Sequence, residues 1–234
     1  MITVATWNVL HRIHAENWGE DVVSQWPDES KRVAAVAGRV AELPVDVIAL
    51  QEVSGDLLEA LRETDKTVHA MRYPRVPRPR RMASQLKDDN EYLVLLVDGP
   101  SQKVAELVFD FDWGKGALAV QTAGLTVIAT HVSWGNKRPV QLTQLRELAQ
   151  APAVLLGDFN ADRDTVLQGL GEGFHVTELP NGQTTRGKQV IDHVIVRGAT
   201  ATDGIVLDNE GLSDHRPVQA TISWTPGTAP ARAR

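Results

Sequence analysis

The chain has 234 residues, enough for one large domain or two small ones. Hydrophobic residues make up 42% and charged residues 23%, so the composition is that of a globular protein and excludes a disordered chain, a coiled coil and a low-complexity protein. The formal net charge of −6 argues against a strongly cationic nucleic-acid-binding protein, although it leaves room for a nuclease with a locally basic groove. The absence of cysteine excludes disulfide bonds and cysteine-ligated metal sites.

Two further absences concern targeting and membranes. The N-terminal segment has no charged region followed by an apolar one, so no secretory signal is visible. No run approaches the roughly 18 apolar residues that a membrane span needs. We therefore expect a soluble cytoplasmic monomer that does not associate with membranes.

Predicted strands and helices alternate along the chain. Apolar, β-branched runs predict strands over 2–9, 45–50, 92–97, 117–122, 125–130, 153–156, 190–196 and 217–224. Helices are predicted from Ser30, after Ser54 and over 139–150, and Ala123-Gly124 is typical of a hairpin turn. With no repeat and no linker, the sequence predicts a single α/β domain over 1–225, followed by a flexible tail over 226–234.

One segment, 72–81, departs from the overall composition. It holds five arginines and three prolines but no acidic residue. The prolines exclude a helix and a central strand, so we expect an exposed loop. The loop is either a solvated surface segment or a segment that contacts phosphate groups, in which case Arg78, Arg80 and Arg81 are the candidates for substrate binding.

Polar side chains cluster just beyond the apolar strands. Strand ends are where a rigid scaffold presents functional groups to a cleft. The residues at these points are almost all of the types that metal and phosphate chemistry needs: Asn8, Glu52, His131, Asp158, Asn160, Asp192, Asp214 and His215. Each could also serve a local role, such as an Asx turn or a buried structural histidine, but so many together are hard to ascribe to packing.

The short motifs TWN, QE, TH, GDFN, IDH and SDHRP occur in this order. In order, spacing and strand context they resemble the endonuclease/exonuclease/phosphatase superfamily, which has the DNase I-like fold. The resemblance covers nearly the whole chain, from residue 2 to about residue 224. It implies a four-layered α/β sandwich, in which two packed mixed β-sheets are flanked by helices, and a phosphoesterase that depends on Mg²⁺, with Mn²⁺ as an alternative ion.

The resemblance also implies a metal site. A carboxylate suits Mg²⁺, which prefers a few hard oxygen ligands and keeps several waters. Glu52, in the QE motif, matches the family's metal-binding glutamate. Asn8 and Asp214 match residues beside the metal.

Catalytic roles follow in the same way. Asp158 would orient or deprotonate the attacking water, and Asn160 would contact a phosphate oxygen. His215, paired with Asp192, would donate to developing negative charge. His131 matches the family's phosphate-contacting histidine. The glutamate that supports it in nucleases is replaced by Asn90, with Glu91 one residue later, so His131 is expected to bind phosphate rather than to complete an acid–base pair.

Two further residues lie close in sequence to the candidate catalytic residues. His193 should face away from Asp192 in a strand, so we interpret it as structural. Trp134, three residues from His131, is a candidate for stacking on a base or sugar.

These features together predict a compact nuclease or phosphodiesterase acting on nucleic acid or nucleotides. An alternative is a phosphatase for a small phosphate monoester, which the acidic net charge favours. A catalytically inactive binding protein on the same scaffold is a third possibility. Such a protein would be expected to have lost Glu52, Asp158 or His215, and all three are present.

Overall fold

The structure is a computed structural model that describes residues 1–225, so the tail predicted over 226–234 lies outside the described residues. The described strands are β1 (Ile2–Asn8), β2 (Val47–Ser54), β3 (Thr67–Arg72), β4 (Glu91–Val97), β5 (Gln102–Val108), β6 (Gly116–Thr122), β7 (Leu125–His131), β8 (Ala153–Asp158), β9 (Phe174–Val176), β10 (Asp192–Arg197), β11 (Thr200–Val206) and β12 (Val218–Ser223). The helices are α1 (Arg12–Trp18), α2 (Val22–Gln25), α3 (Glu29–Glu42), α4 (Gly55–Leu61), α5 (Arg138–Leu148) and α6 (Arg163–Leu170), with a short 3₁₀ turn over Gly135–Lys137.

The strands form two six-stranded mixed sheets. The first has the order β11-β12-β1-β2-β4-β3, and the second has the order β5-β6-β7-β8-β10-β9. Each sheet contains one parallel pair, β1 with β2 and β7 with β8, and its other neighbouring strands are antiparallel.

Alternating side chains of the central strands pack on opposite faces of each sheet, one face against the other sheet and one against the helices. In β2, Val47 and Ala49 pack in the core between the sheets, whereas Ile48 and Leu50 pack in the core beneath the helices α3 and α4. The second sheet packs its outer face in the same way against α5 and α6. Successive side chains of a strand point to opposite faces of the sheet, so a strand that is buried on both faces contributes to both sides in turn. The result is the predicted four-layered sandwich.

The structure confirms the predicted elements that rest on strong apolar patterns. The helix predicted from Ser30 is α3, and the Asp28 side chain caps its first turn. Ser54 caps α4 by accepting a hydrogen bond from the Leu57 backbone N–H at 3.2 Å. Ala123 and Gly124 both have positive φ, as a two-residue hairpin turn of this type needs.

The two parallel strand pairs determine where the polar strand ends meet. Asn8 lies opposite Gln51 at the end of β1 and β2, and His131 lies opposite Asp158 at the end of β7 and β8. Asp158 is also opposite Asp192 at the start of β10. The polar ends of both sheets therefore face one end of the sandwich. Within residues 1–225, no helix is both long and apolar enough to cross a membrane.

Candidate active site

The polar strand ends of the two sheets meet around the amide of Asn8. Its Nδ2 donates to Glu52 Oε1 at 3.2 Å and to Asp158 Oδ2 at 3.1 Å. One amide thus joins a carboxylate of the first sheet to a carboxylate of the second. Asn8 is itself held in place because its Oδ1 accepts a hydrogen bond from the Leu10 backbone N–H at 3.0 Å.

Glu52 lies in a bulge of β2 rather than beyond the strand end, where the sequence analysis placed it. The pairing of β2 with β4 shifts between Leu50 and Val53, and Glu52 has φ of 59°. A bulge re-aims a side chain within a strand. Burial alone would raise the pKa of the Glu52 carboxyl, but the charges of His14, His131 and Lys115 outweigh it and hold the pKa well below its usual range. Glu52 is therefore ionised.

Asp158 lies between two histidines and is almost completely buried. Its Oδ2 is 3.3 Å from His131 Nε2 and 3.9 Å from His215 Nε2. Burial would raise the pKa of Asp158, but the hydrogen bond and charge of His131 and the charge of His215 lower it far more. The carboxylate is therefore ionised at neutral pH, and it faces two ring nitrogens.

His215 is paired with Asp192, as the family resemblance implies. Its Nδ1 lies 3.0 and 2.9 Å from the two carboxylate oxygens of Asp192. Burial would lower the pKa of His215, but the charge and hydrogen bond of Asp192 raise it to about 10. His215 is therefore protonated at neutral pH, and Nε2 is its free donor on the side of Asp158. His193 faces the other way, and its Nε2 donates to the Ala161 carbonyl at 2.8 Å.

Asn160 is fixed beside His131 by the loop that follows β7. Its Nδ2 donates to the Val132 carbonyl at 2.9 Å and lies 3.5 Å from His131 Nε2. The Arg138 guanidinium donates to the Asn160 carbonyl at 2.6 Å, and Gln141 exchanges hydrogen bonds with Ser133. Arg138 and Gln141 therefore join the segment after β7 to the segment that carries Asn160.

Asp214 lies at the edge of the same cleft, and only one of its oxygens is engaged. Oδ2 accepts a hydrogen bond from Arg186 Nε at 2.7 Å, and Arg186 also contacts Glu20. Oδ1 is buried and has no hydrogen-bond partner among the described residues. This oxygen is available to a ligand.

Two charged residues of the site were missed by sequence reasoning. His14, on α1, pairs with Glu91 at 2.9 Å, so Glu91 supports His14 and not His131. The Lys115 ammonium instead lies against His131, with Nζ 3.0 Å from Nδ1. The available signals were the His-x-x-His spacing after the TWN motif and a lysine between two glycines before a strand.

Arg32 holds the backbone behind the site. It is buried in α3 and donates to the carbonyls of Val9, Leu10 and Leu212 at 2.8–2.9 Å. Glu29 accepts two hydrogen bonds from the same guanidinium, at 2.9 and 2.7 Å. One side chain thus joins the segment after β1, which carries Asn8, to the segment that leads to His215.

Replacing Arg32 by methionine is therefore expected to destabilise the protein. The change leaves the Glu29 carboxylate buried without this partner and three carbonyls unsatisfied, and breaking a buried pair in this way costs about 3–5 kcal/mol. Urea unfolding measures the loss. Lys31→Met is the matched control on the same helix, where the ammonium is exposed, and it should leave the free energy of unfolding nearly unchanged. Similar stabilities for the two variants would contradict the anchoring role.

An open cleft of about 1630 Å³ leads to these residues. Glu52, His131, Asp158 and His215 are among the residues that line it. Its outer part is formed by the arginine-rich loop, from which Arg75, Arg78 and Arg80 line the cleft, and by Trp134. Among the described residues of that loop, Arg81 is exposed but does not line the cleft.

The donor set fits a hard divalent cation. Glu52 and Asp158 are ionised carboxylates joined by one amide, and Asp214 adds a buried carboxylate oxygen that lacks a partner. Mg²⁺ prefers such oxygen ligands.

Sequence comparison decides the family. The model of the endonuclease/exonuclease/phosphatase family matches residues 5–215. The chain belongs to this family. Its members hydrolyse phosphoester bonds and generally depend on a divalent metal, so the chain is a phosphoester hydrolase. Comparison with functionally curated proteins gave no significant match.

Several solved structures share the fold of this chain. A humanized D. rerio TDP2 is 16% identical with a TM-score of 0.68, covering 95% of this chain and 98% of that one. A functionally unknown conserved protein from Enterococcus faecalis V583 is 21% identical with a TM-score of 0.69, covering 95% and 100%. The human Nocturnin catalytic domain with a bound sulfate anion is 16% identical with a TM-score of 0.69, covering 96% and 93%. At these identities the likeness concerns the fold.

Proposed function

We propose that this phosphoester hydrolase is a Mg²⁺-dependent phosphodiesterase or nuclease that acts on nucleic acid or nucleotides. The observation that carries the proposal is the position of the paired carboxylates and histidines, at the base of an open cleft whose walls carry arginines and tryptophans. Pockets for small ligands have volumes of about 300–1,000 Å³. The volume of about 1630 Å³ suits a longer substrate, of which the scissile phosphate is one part.

Glu52 would hold the metal ion, with Asn8 and Asp214 beside it. A bound Mg²⁺ supplies Lewis-acid stabilisation of charge on a phosphoryl oxygen. Asn8 and the His11 backbone N–H fix the Glu52 carboxylate by hydrogen bonds of 3.2 Å to its two oxygens. The carboxylate is therefore ionised and oriented before substrate binds.

Asp158 and His215 divide the proton chemistry. The ionised Asp158 carboxylate would orient or deprotonate the water that attacks phosphorus. His215, kept protonated by Asp192, donates a hydrogen bond to a phosphate oxygen on which negative charge develops. The P–O bond to the leaving group then breaks, the leaving oxygen takes up the proton that the water has lost, and the products are a phosphate monoester and an alcohol.

Three further groups would bind the phosphate: His131, Lys115 and Asn160. Lys115 contributes a positive charge beside His131, and Asn160 presents an amide close to the same ring. Their donors converge from β7, from the loop before β6 and from the segment after β8. Hydrogen-bond donors that are positioned in advance are the usual source of transition-state stabilisation in such sites.

A panel of three substrates tests the proposal. Wild-type protein with Mg²⁺ is assayed on bis-p-nitrophenyl phosphate, on p-nitrophenyl phosphate and on a single-stranded oligonucleotide. We expect turnover of the diester and of the oligonucleotide. Turnover of the monoester alone would overturn the proposal in favour of a small-molecule phosphatase, and turnover of none of them would favour an inactive binding protein.

The arginine-rich loop predicts a steep salt dependence of oligonucleotide binding. Each arginine that neutralises a phosphate changes the slope of log K against log salt by about 0.7 for a single strand. Replacing Arg78 and Arg80 by glutamine should therefore flatten the slope measured by fluorescence anisotropy. Arg62→Gln, an exposed arginine outside the cleft, is the matched control. Identical slopes in the double variant and the wild type would remove this loop from the substrate site.

A further inference from the structure

The exposed aromatic side chains of this protein are concentrated at the catalytic cleft. Within residues 1–225, four aromatic residues are strongly exposed, and all four line that cleft: Trp18, Phe111, Trp113 and Trp134, at 69%, 72%, 71% and 57% exposure. We call these four residues the aromatic rim. Exposed aromatic rings gathered at one place mark an interaction site, whereas exposed apolar residues scattered singly do not.

The loop between β5 and β6 displays two of these rings. Phe109 anchors the loop in the core, and its backbone N–H donates to the Lys115 carbonyl at 3.0 Å. Phe111, at the turn, has φ of 66°, a left-handed conformation that is unfavourable for a bulky residue. The loop therefore keeps a large apolar ring in solvent at a cost in backbone energy, and such strain is typical of functional segments.

Asp112 fastens this loop to its neighbours. Its Oδ1 accepts hydrogen bonds from the Gly114 backbone N–H at 3.1 Å and from Arg75 at 3.4 Å. Its Oδ2 accepts a hydrogen bond from the Ser133 hydroxyl at 2.8 Å and lies 3.5 Å from the Lys137 ammonium. One carboxylate thus connects the arginine-rich loop, the loop between β5 and β6, and the segment that carries His131 and Trp134. Asp112 therefore links the segments that carry Phe111, Trp113 and Trp134.

Positive charges are interleaved with the rings. Arg80 lies over the Trp18 ring, 5.4 Å from its centroid, which holds both side chains at the wall of the cleft. In the described part of the chain, no ring of the rim stacks against another ring. Phe111, Trp113 and Trp134 therefore leave ring faces open to a ligand, next to the cations that line the cleft.

We propose that the aromatic rim stacks on unpaired bases, so that the substrate at this site is a single-stranded nucleic acid. Base–aromatic stacking beside a basic groove is the general means of binding single strands, and it tolerates any base because every base has a π-face. The inference rests on the proposed function, which concerns the chemistry at the phosphate. It adds that the protein also recognises the bases of the substrate.

Other occupants fit the rim less well. The bases of a duplex already stack on each other, so their faces are hidden from protein rings. A bilayer surface would need the rings on one protruding face, whereas the four rings line the wall of a cleft. A small phosphate ester would leave most of the four rings without a contact.

Binding measurements test this inference without relying on turnover. Phe111→Ala/Trp113→Ala is introduced into an Asp158→Asn background, and the Kd values of three labelled probes are measured in Mg²⁺ at one salt concentration. The probes are a single strand, its duplex, and a strand of the same length in which abasic residues replace the bases. Val104→Ala, an exposed apolar residue outside the cleft, is the matched control, and Trp113→Phe retains a ring.

We expect the single strand to bind at least roughly 5-fold more weakly to the double variant, and up to roughly 150-fold for each stack that is lost. The Kd of the base-free strand should be the same with and without the double substitution, and Val104→Ala should leave every Kd unchanged. Trp113→Phe, which retains a ring, should weaken binding of the single strand less than the double variant does. An equal loss for the base-free strand, or no loss for the single strand, would overturn the inference. A double variant that loses binding to phosphatidylserine vesicles but keeps oligonucleotide binding would also overturn it, because the rim would then face a membrane.

The two proposals can fail independently. If wild-type protein hydrolyses diesters but base-dependent binding is absent, only the role of the rim is lost. If binding depends on bases and rim but no diester is hydrolysed, the proposed function fails while the rim remains a binding site.

Discussion

Replacing Glu52 by alanine is expected to abolish phosphoesterase activity and to weaken Mg²⁺ binding, while the fold survives. Glu52 is ionised, is aimed into the cleft by the bulge in β2, and is fixed by Asn8 and by the His11 backbone N–H. It is therefore the main anionic ligand offered by the first sheet. Isothermal titration calorimetry with Mg²⁺ measures the change in affinity, and urea unfolding checks that the fold is intact.

Two further variants sharpen the Glu52 experiment. Glu52→Gln keeps the shape and one oxygen but removes the charge, so it should also bind Mg²⁺ more weakly than wild type. Glu59→Ala, an exposed glutamate on α4, should change neither affinity nor activity. Unchanged Mg²⁺ affinity in both Glu52 variants would contradict the assignment of Glu52 as a metal ligand.

Asp158→Asn is expected to lower kcat by roughly 10²–10⁴-fold, the usual range for a positioned acid–base group. The amide keeps the volume and can still accept the hydrogen bond that the Asn160 backbone N–H gives at 2.8 Å. It cannot accept the proton of a water molecule, and it removes the anion between His131 and His215. Steady-state kinetics on the diester substrate measures the loss.

The control for this variant is Asp164→Asn, because Asp164 is an exposed aspartate on α6. It should have the kinetics of the wild type. If Asp158→Asn retained more than about a tenth of the wild-type kcat, another group would have to activate the water.

The sequence predicts the sandwich because its central strands carry continuous apolar runs, as strands that are buried on both faces do. Strands β1, β2, β7 and β8 all show this pattern, and the polar residues that follow them mark the site. Edge strands are harder to predict. Strand β5 is largely exposed and has no strong alternation, so no apolar pattern identifies it.

Helix α1 was missed for a different reason. Arg12 and Glu16 look like surface residues in a sequence, but both are buried, because Arg12 pairs with Glu16 at 2.7 Å and approaches Glu29 at 3.4 Å. The partner Glu29 lies on another helix, and a local pattern cannot show such a contact. His14 was missed together with the helix that carries it.

The geometry around Glu52 and Lys115 also could not be predicted from the sequence. The bulge that directs Glu52 depends on the pairing of β2 with β4, which is a long-range property. Lys115 reaches His131 because β6 and β7 pair in a register that places Gly116 opposite His131. Sequence motifs found the residues that the family resemblance marks, and only the fold revealed the charges that surround them.

The most direct measurement of the central claim is hydrolysis of a single-stranded DNA oligonucleotide in ¹⁸O-labelled water, with chelator and after Mg²⁺ is restored. The account predicts cleavage only when Mg²⁺ is present, with ¹⁸O incorporated into the product phosphate, because water attacks phosphorus. Cleavage that persists undiminished in chelator, or a product phosphate without ¹⁸O, would contradict it.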